Sequence, residues 1–119
     1  MKIAKSFTFD AAHWLPNVAP DHKCHRMHGH TYRVEIACSG KLDERGMVCD
    51  YAEIAEAWRV AEAEIDHRVL NEVPGLENPT TEVLALWIVG HLCRALLSLA
   101  SVRVYESSSS WCEVEWGKP

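Results

Sequence analysis

His28-Gly29-His30-Thr31-Tyr32-Arg33-Val34-Glu35-Ile36-Ala37-Cys38-Ser39 is the stretch on which the fold turns. From Thr31 onward, Tyr32, Val34, Ile36 and Cys38 alternate with Arg33, Glu35 and Ser39. A period of two over that length predicts a strand with one buried face. Residues 2–10 repeat the pattern, with Ile3, Phe7 and Phe9 set against Lys2, Ser6 and Thr8. Residues 11–30 between the two strands read as a long loop. Such a loop in a small domain is usually functional or disordered, and metal ligation would order it.

Downstream, Asp50 reads as an N-cap with Glu53 three residues on, resembling a capping box. Ile54, Trp58, Ala61 and Ile65 follow at helical spacing and place a first helix near 51–66. Pro74-Gly75 and Asn78-Pro79 punctuate a loop. Thr80 or Thr81 caps a second helix, with Glu82 in its first turn. Its apolar stripe is Leu84, Trp87, Ile88, Leu92, Ala95, Leu96 and Leu99. Two short strands, 102–106 and 111–116, close the chain around a turn at Ser107 to Ser110. The order ββ-αα-ββ implies an α+β fold, one antiparallel sheet with both helices on one face. Four strands leave two exposed edges, and pairing them between subunits into a larger barrel is the expectation.

The chemistry collects in the first loop. His28 and His30 are two residues apart, so on an extended segment they point to one side. Gly29 between them is expected to keep that side uncrowded. His13 arrives from the end of the first strand, so all three imidazoles converge at one end of the sheet. A lone histidine is more often structural than a ligand; three that converge reverse that balance. Three neutral imidazoles leave a tetrahedral zinc one open position, the catalytic arrangement. Imidazole suits several transition metals, and zinc is the expected occupant. Cys24 places a thiol beside the cluster. His22 and His25 read as loop or rim residues and His91 as structural. Asp66-His67 has two readings of equal weight. It is a proton relay to a thiol, or a helix C-terminus bearing a favourable cation.

Composition bounds the rest. At 119 residues the chain, 1–119, is expected to be one domain, with apolar and charged contents of 48% and 24% typical of a globular protein. A net charge of −5 argues against nucleic acid as partner. Lys23, His25 and Arg26 concentrate positive charge beside the cluster, which leaves an anionic small substrate open; the other reading is solvated loop charge. Five cysteines without a CxxC pair fit reduced thiols and a cytoplasmic location. Cys38, Cys49, Cys93 and Cys112 are expected in the core, and only Cys24 lies in a polar loop. Neither a signal segment nor a membrane span is expected.

Six blocks carry a resemblance: Phe9-Asp10-Ala11-Ala12-His13-Trp14-Leu15, Cys24-His25-Arg26-Met27-His28-Gly29-His30, Met47-Val48-Cys49-Asp50-Tyr51, Asp66-His67-Arg68-Val69-Leu70-Asn71, Asn78-Pro79-Thr80-Thr81-Glu82 and Val104-Tyr105-Glu106. In this order they resemble the 6-pyruvoyl-tetrahydropterin synthase family, and the length is most similar to its 6-carboxytetrahydropterin synthase branch. The resemblance covers essentially the whole chain. It implies the tunnelling fold, with trimers around a barrel stacked as a homohexamer. It implies zinc on His13, His28 and His30, Cys24 as the catalytic thiol, and Asp66 with His67 as a dyad reaching the site from a neighbouring subunit. Glu106 matches the carboxylate that anchors the pterin ring.

The implied reaction converts 7,8-dihydroneopterin triphosphate to 6-carboxytetrahydropterin, acetaldehyde and triphosphate, a lyase step toward queuosine. Lys23 and Arg26 are candidates to meet the triphosphate. Ser107 stands where the family usually has Thr, and His25 where many relatives have Gly. The nearest alternative is the pyruvoyl synthase, which keeps the carbon chain intact. A third branch, making 6-hydroxymethyldihydropterin, characteristically lacks the catalytic thiol that Cys24 supplies. An alternative of another class is a non-catalytic zinc or pterin-binding module.

Overall fold

A computed structural model describes residues 1–117. Strand β1 spans Lys2–His13 and β2 spans His28–Ser39, paired antiparallel along their whole lengths from Lys2↔Ser39 to His13↔His28. Helix α1 covers Tyr51–Ile65, β3 is the two-residue Arg68–Val69, and α2 covers Thr81–Leu92. Strands β4, Leu99–Tyr105, and β5, Trp111–Glu115, complete a five-stranded sheet of order β3-β1-β2-β4-β5. The α+β architecture matches the sequence reading, with three differences.

The loop between the first strands is shorter than 11–30, because the ladder continues through Ala11↔His30 and Ala12↔Gly29. Apolar alternation fades there, but backbone pairing needs no apolar side chain. Second, β3 is a fifth strand, parallel to β1 through Ala11↔Arg68 and Ala12↔Val69. Two residues are too few to carry a periodic signal. Third, α2 stops at Leu92; Ala95 and Leu96 bond back to the Leu92 carbonyl in a tight turn. Leu96 and Leu99 still enter the core, so their spacing mimicked a longer helix.

Core packing follows the alternation. Phe9 stacks on Tyr32 at 4.9 Å, and Trp58 from α1 covers both Phe7 and Phe9. Helix α1 buries Ile54, Ala57, Trp58, Ala61 and Ile65, one stripe at helical spacing. The Asp50 carboxylate caps its first turn by accepting from the Ala52 amide at 2.8 Å. The reciprocal half of a capping box is not made: the Glu53 side chain lies 3.7 Å from the Arg45 guanidinium instead. Cys38 and Cys49 are core residues, whereas Cys93 and Cys112 are half-buried at its margin. Among the described residues, no helix is long and apolar enough to cross a membrane.

Candidate metal centre and its surroundings

Directly opposed residues on paired strands share a face, so the register decides what the histidines see. His13 opposes His28, Ala11 opposes His30 and Phe9 opposes Tyr32. The three imidazoles therefore continue the core-facing row of the sheet to its end, beyond Tyr32. His13 is buried, 1% exposed, and His28 and His30 are half-buried. Their ligand atoms lie within 4.8 Å of one another.

Two of the rings are held by backbone carbonyls. His13 Nδ1 donates to the Pro79 carbonyl at 2.9 Å, and His28 Nδ1 donates to the Arg26 carbonyl at 2.7 Å. A carbonyl only accepts, so each neutral ring carries its proton on Nδ1 and a bare lone pair on Nε2. Those two Nε2 atoms face each other at 3.0 Å. With both protons committed elsewhere, the contact is two lone pairs in opposition, an arrangement that a shared cation relieves. His30 Nε2 is buried without a hydrogen-bond partner; its nearest charge is Glu106 Oε1, at 3.5 Å but poorly directed. Burial pushes the His13 and His30 pKa values below the ordinary imidazole value, against the opposing pull of the Pro79 carbonyl on His13 and of Glu106 on His30. Both therefore favour the neutral, ligating form. The donor set fits a metal ion: three converging imidazole nitrogens, two of them on rings oriented from behind.

Gly29 does not act as expected. A side chain there would point to the other face of the sheet, where its Cβ would meet the Ala11 carbonyl at an ordinary 3.6 Å. Its missing side chain therefore opens no space on the histidine face, and its backbone is not left-handed.

Around the triad the sequence-predicted residues divide. Glu106, just past the end of β4, is beside it: one carboxylate oxygen is near His30 and the other accepts from the Thr81 hydroxyl at 3.0 Å. Thr81 was missed as a site residue because either threonine could cap α2. Thr80 takes that role, accepting from the Val83 amide, and frees its neighbour. Tyr32 was also missed; its buried hydroxyl lies 3.3 Å from His13 Nδ1. Cys24 sits half-buried in a 3-10 turn, Lys23–His25, inside loop 14–27 that joins the ligand-bearing strands. Lys23 and Arg26 are exposed and form no ion pair among the described residues. Ser107 is exposed in the β4–β5 turn, with its hydroxyl toward Ser109.

The Asp66-His67 dyad is elsewhere. His67 Nδ1 lies 3.0 Å from Asp66 Oδ2, and the other Asp66 oxygen accepts from the Asp10 amide at 3.1 Å. His67 adopts a left-handed backbone, φ 59°, and its amide donates to the Asp10 carbonyl. The Asp66 hydrogen bond and charge raise the His67 pKa. Asp66 is lowered in turn: slight burial opposes the shift, but hydrogen bonds from Asp10 and His67 outweigh it. His67 and Arg68 line an open pocket of about 520 Å³ with Asp10, Ala12, Gly29 and Thr31, and His30 touches it. Those four strand residues alternate out of phase with the triad. Among the described residues, no hydrogen bond or ion pair joins the dyad to the triad of its own chain. His91 is structural, stacked on Trp87 and paired with Glu64 at 3.1 Å.

Comparison with known proteins places this geometry. Residues 2–116 match the family model described as 6-pyruvoyl tetrahydropterin synthase. The chain is 38% identical over 114 residues to a putative 6-carboxy-5,6,7,8-tetrahydropterin synthase of Archaeoglobus fulgidus, covering 96% of this chain and 95% of that protein. It is 39% identical over 115 residues to the 6-carboxy-5,6,7,8-tetrahydropterin synthase of Synechocystis, covering 91% and 88%. Among solved structures, the 6-pyruvoyl tetrahydropterin synthase of Caenorhabditis elegans superposes with a TM-score of 0.89 at 22% identity, over 98% of this chain and 96% of that one, a likeness of fold.

Proposed function

We propose a function from one premise: the chain belongs to the 6-pyruvoyl tetrahydropterin synthase family, a family of enzymes. On that premise it is a 6-carboxy-5,6,7,8-tetrahydropterin synthase. It converts 7,8-dihydroneopterin triphosphate and one water to 6-carboxytetrahydropterin, acetaldehyde and triphosphate in the cytoplasm, toward queuosine and related 7-deazapurines. Two relatives of that name at 38% and 39% identity support the reaction class. The observation that carries the site assignment is the pair of unprotonated Nε2 atoms 3.0 Å apart, with the orphaned Nε2 of His30 beside them.

His13, His28 and His30 would hold zinc, which when bound supplies Lewis-acid polarisation of the substrate's side-chain oxygens. The Cys24 thiolate takes the carbon-bound proton next to the ring, and the Asp66-His67 dyad of a neighbouring copy exchanges it. That no hydrogen bond or ion pair among the described residues joins the dyad to its own triad supports that division between copies. Glu106 accepts two parallel hydrogen bonds from the amino-pyrimidinone edge of the pterin. A carboxylate has about four lone-pair sites, so the Thr81 hydroxyl steadies Glu106 without exhausting it. Ser107 lies next to Glu106 and offers a further hydroxyl to the ring, while Lys23 and Arg26 face the triphosphate. The whole chain, 1–119, works as one domain in a homohexamer built from two trimers. Its open sheet edges, β5 and residues 2–9 of β1, are what such an assembly pairs.

Incubation of the purified protein with 7,8-dihydroneopterin triphosphate tests the reading. Mass spectrometry is expected to find 6-carboxytetrahydropterin and free acetaldehyde. A pyruvoyl product with the carbon chain intact, or tight pterin binding without turnover, overturns it.

A further inference from the structure

We infer that Asn71 is a positioning residue for the Cys24 loop; the inference rests on the role proposed above for Cys24. Strand β3 accompanies β1 only as far as Ala12↔Val69, after which its chain turns away into the 3-10 turn Leu70–Glu72. Trp14, the first residue after the ligand His13, therefore has no strand neighbour on that side. The Asn71 carboxamide takes the neighbour's place. Its Oδ1 accepts from the Trp14 amide at 3.0 Å, and its Nδ2 donates to the Trp14 carbonyl at 2.8 Å. One side chain thus satisfies both backbone groups of one residue, as an adjacent strand residue does in an antiparallel ladder.

The residue after Trp14 gives the clamp its consequence. The Leu15 amide donates to the carbonyl of Cys24 at 2.8 Å, so the held segment of the loop is the one that carries the thiol. At the loop's far end, the His28 ring holds the Arg26 carbonyl at 2.7 Å. Among the described residues, Asn71 and His28 supply the side-chain hydrogen bonds that reach loop 14–27 from outside it. His28 is committed to the metal cluster, which leaves Asn71 as the dedicated tether. It also joins two parts of the chemistry in sequence, because Asn71 lies four residues beyond His67.

Only a carboxamide does this. An aspartate at 71 is nearly isosteric and keeps an acceptor for the Trp14 amide, but it turns a second acceptor onto the Trp14 carbonyl. A loosened loop moves the thiol relative to the carbon it deprotonates, and a displacement of about 1 Å at a reacting group costs about 100-fold.

The test uses the metal-loaded protein and the variants Asn71→Ala and Asn71→Asp. Four quantities are read: kcat, KM, metal content, and the rate at which iodoacetamide labels Cys24, followed on its own peptide. The expected result is a kcat lowered by about 10- to 100-fold in both variants. KM should stay within about threefold, metal content should not change, and Cys24 should label several-fold faster. Wild-type kcat with wild-type labelling in both variants overturns the inference. So does loss of metal in step with kcat, which would place the role of Asn71 on His13. If the wild type turns over no pterin substrate, the proposed function fails, and the labelling rate alone still decides whether Asn71 holds the loop.

Discussion

Two regions at the same end of the same two strands are built in opposite ways. On the helix-covered face, His13, His28 and His30 extend the core-facing row of the sheet; carbonyls fix two of the rings from behind, and burial favours the neutral form of His13 and His30. On the edge and outer face, a half-buried Asp66 pairs with His67, which is exposed and left-handed, and the pairing favours the charged imidazolium. A ligand cluster needs rigid, deprotonated donors, and strand registry with burial supplies them. A group that gives and takes protons needs access to its partner and a tunable charge. The contrast teaches that one short hairpin end can present a buried donor cluster inward and an exposed acid–base pair outward.

The largest effect that could break this contrast comes from the inward side. His13→Ala removes the most buried ligand and leaves His28 and His30 to hold the ion alone. Bound metal, measured by elemental mass spectrometry after dialysis, is expected to fall to background, with turnover lost alongside it. Stoichiometric metal in that variant would mean that the triad is not the metal centre.

A smaller loss is expected from the outward side. His67→Ala should keep its metal and lose about 10²- to 10⁴-fold in kcat, the range for a positioned acid–base group. Mixing it with Cys24→Ala after subunit exchange sharpens the comparison. In a closed ring, each site with an intact thiol from one copy and an intact dyad from the next regains function, which predicts recovery to about a quarter of wild type. No recovery in verified mixed oligomers would return the dyad to its own chain.

The smallest effect is electrostatic. The His67 pKa, followed by NMR, should lie above the ordinary 6.5 and return toward it in Asp66→Asn. Since the imidazole is raised on folding, its contribution to stability is complete below 6.5 and fades as pH rises through the shifted value. Asp66 is lowered from 3.8, so its contribution is complete above that value and fades as pH falls through the shifted one. The stability difference between wild type and Asp66→Asn should therefore peak between about pH 4 and 6. A difference that grew toward alkaline pH would contradict the pairing.

Much of this is legible in the order of residues alone. Alternation at Tyr32, Val34 and Ile36 marked a half-buried strand, and His28 with His30 shared its inward phase. The spacing of Ile54, Trp58, Ala61 and Ile65 set out the first helix. Other features left little trace. Helix α2 ends early although its apolar spacing runs on, because a tight turn can feed Leu96 into the same core. Gly29 looked like a device for the metal and points away from it. Thr81 and Asn71 lay inside recognised blocks, yet their partners, Glu106 and Trp14, are 25 and 57 residues away in sequence.

The sequence by itself determined the period of each element and the inventory of donors, since alternation and side-chain chemistry are local properties. Only the tertiary structure decided which lone pairs face one another, which carbonyls hold them, and on which face of the sheet the dyad lies. Those depend on strand register and on hydrogen bonds between distant residues, where a shift of one position carries a side chain to the opposite face.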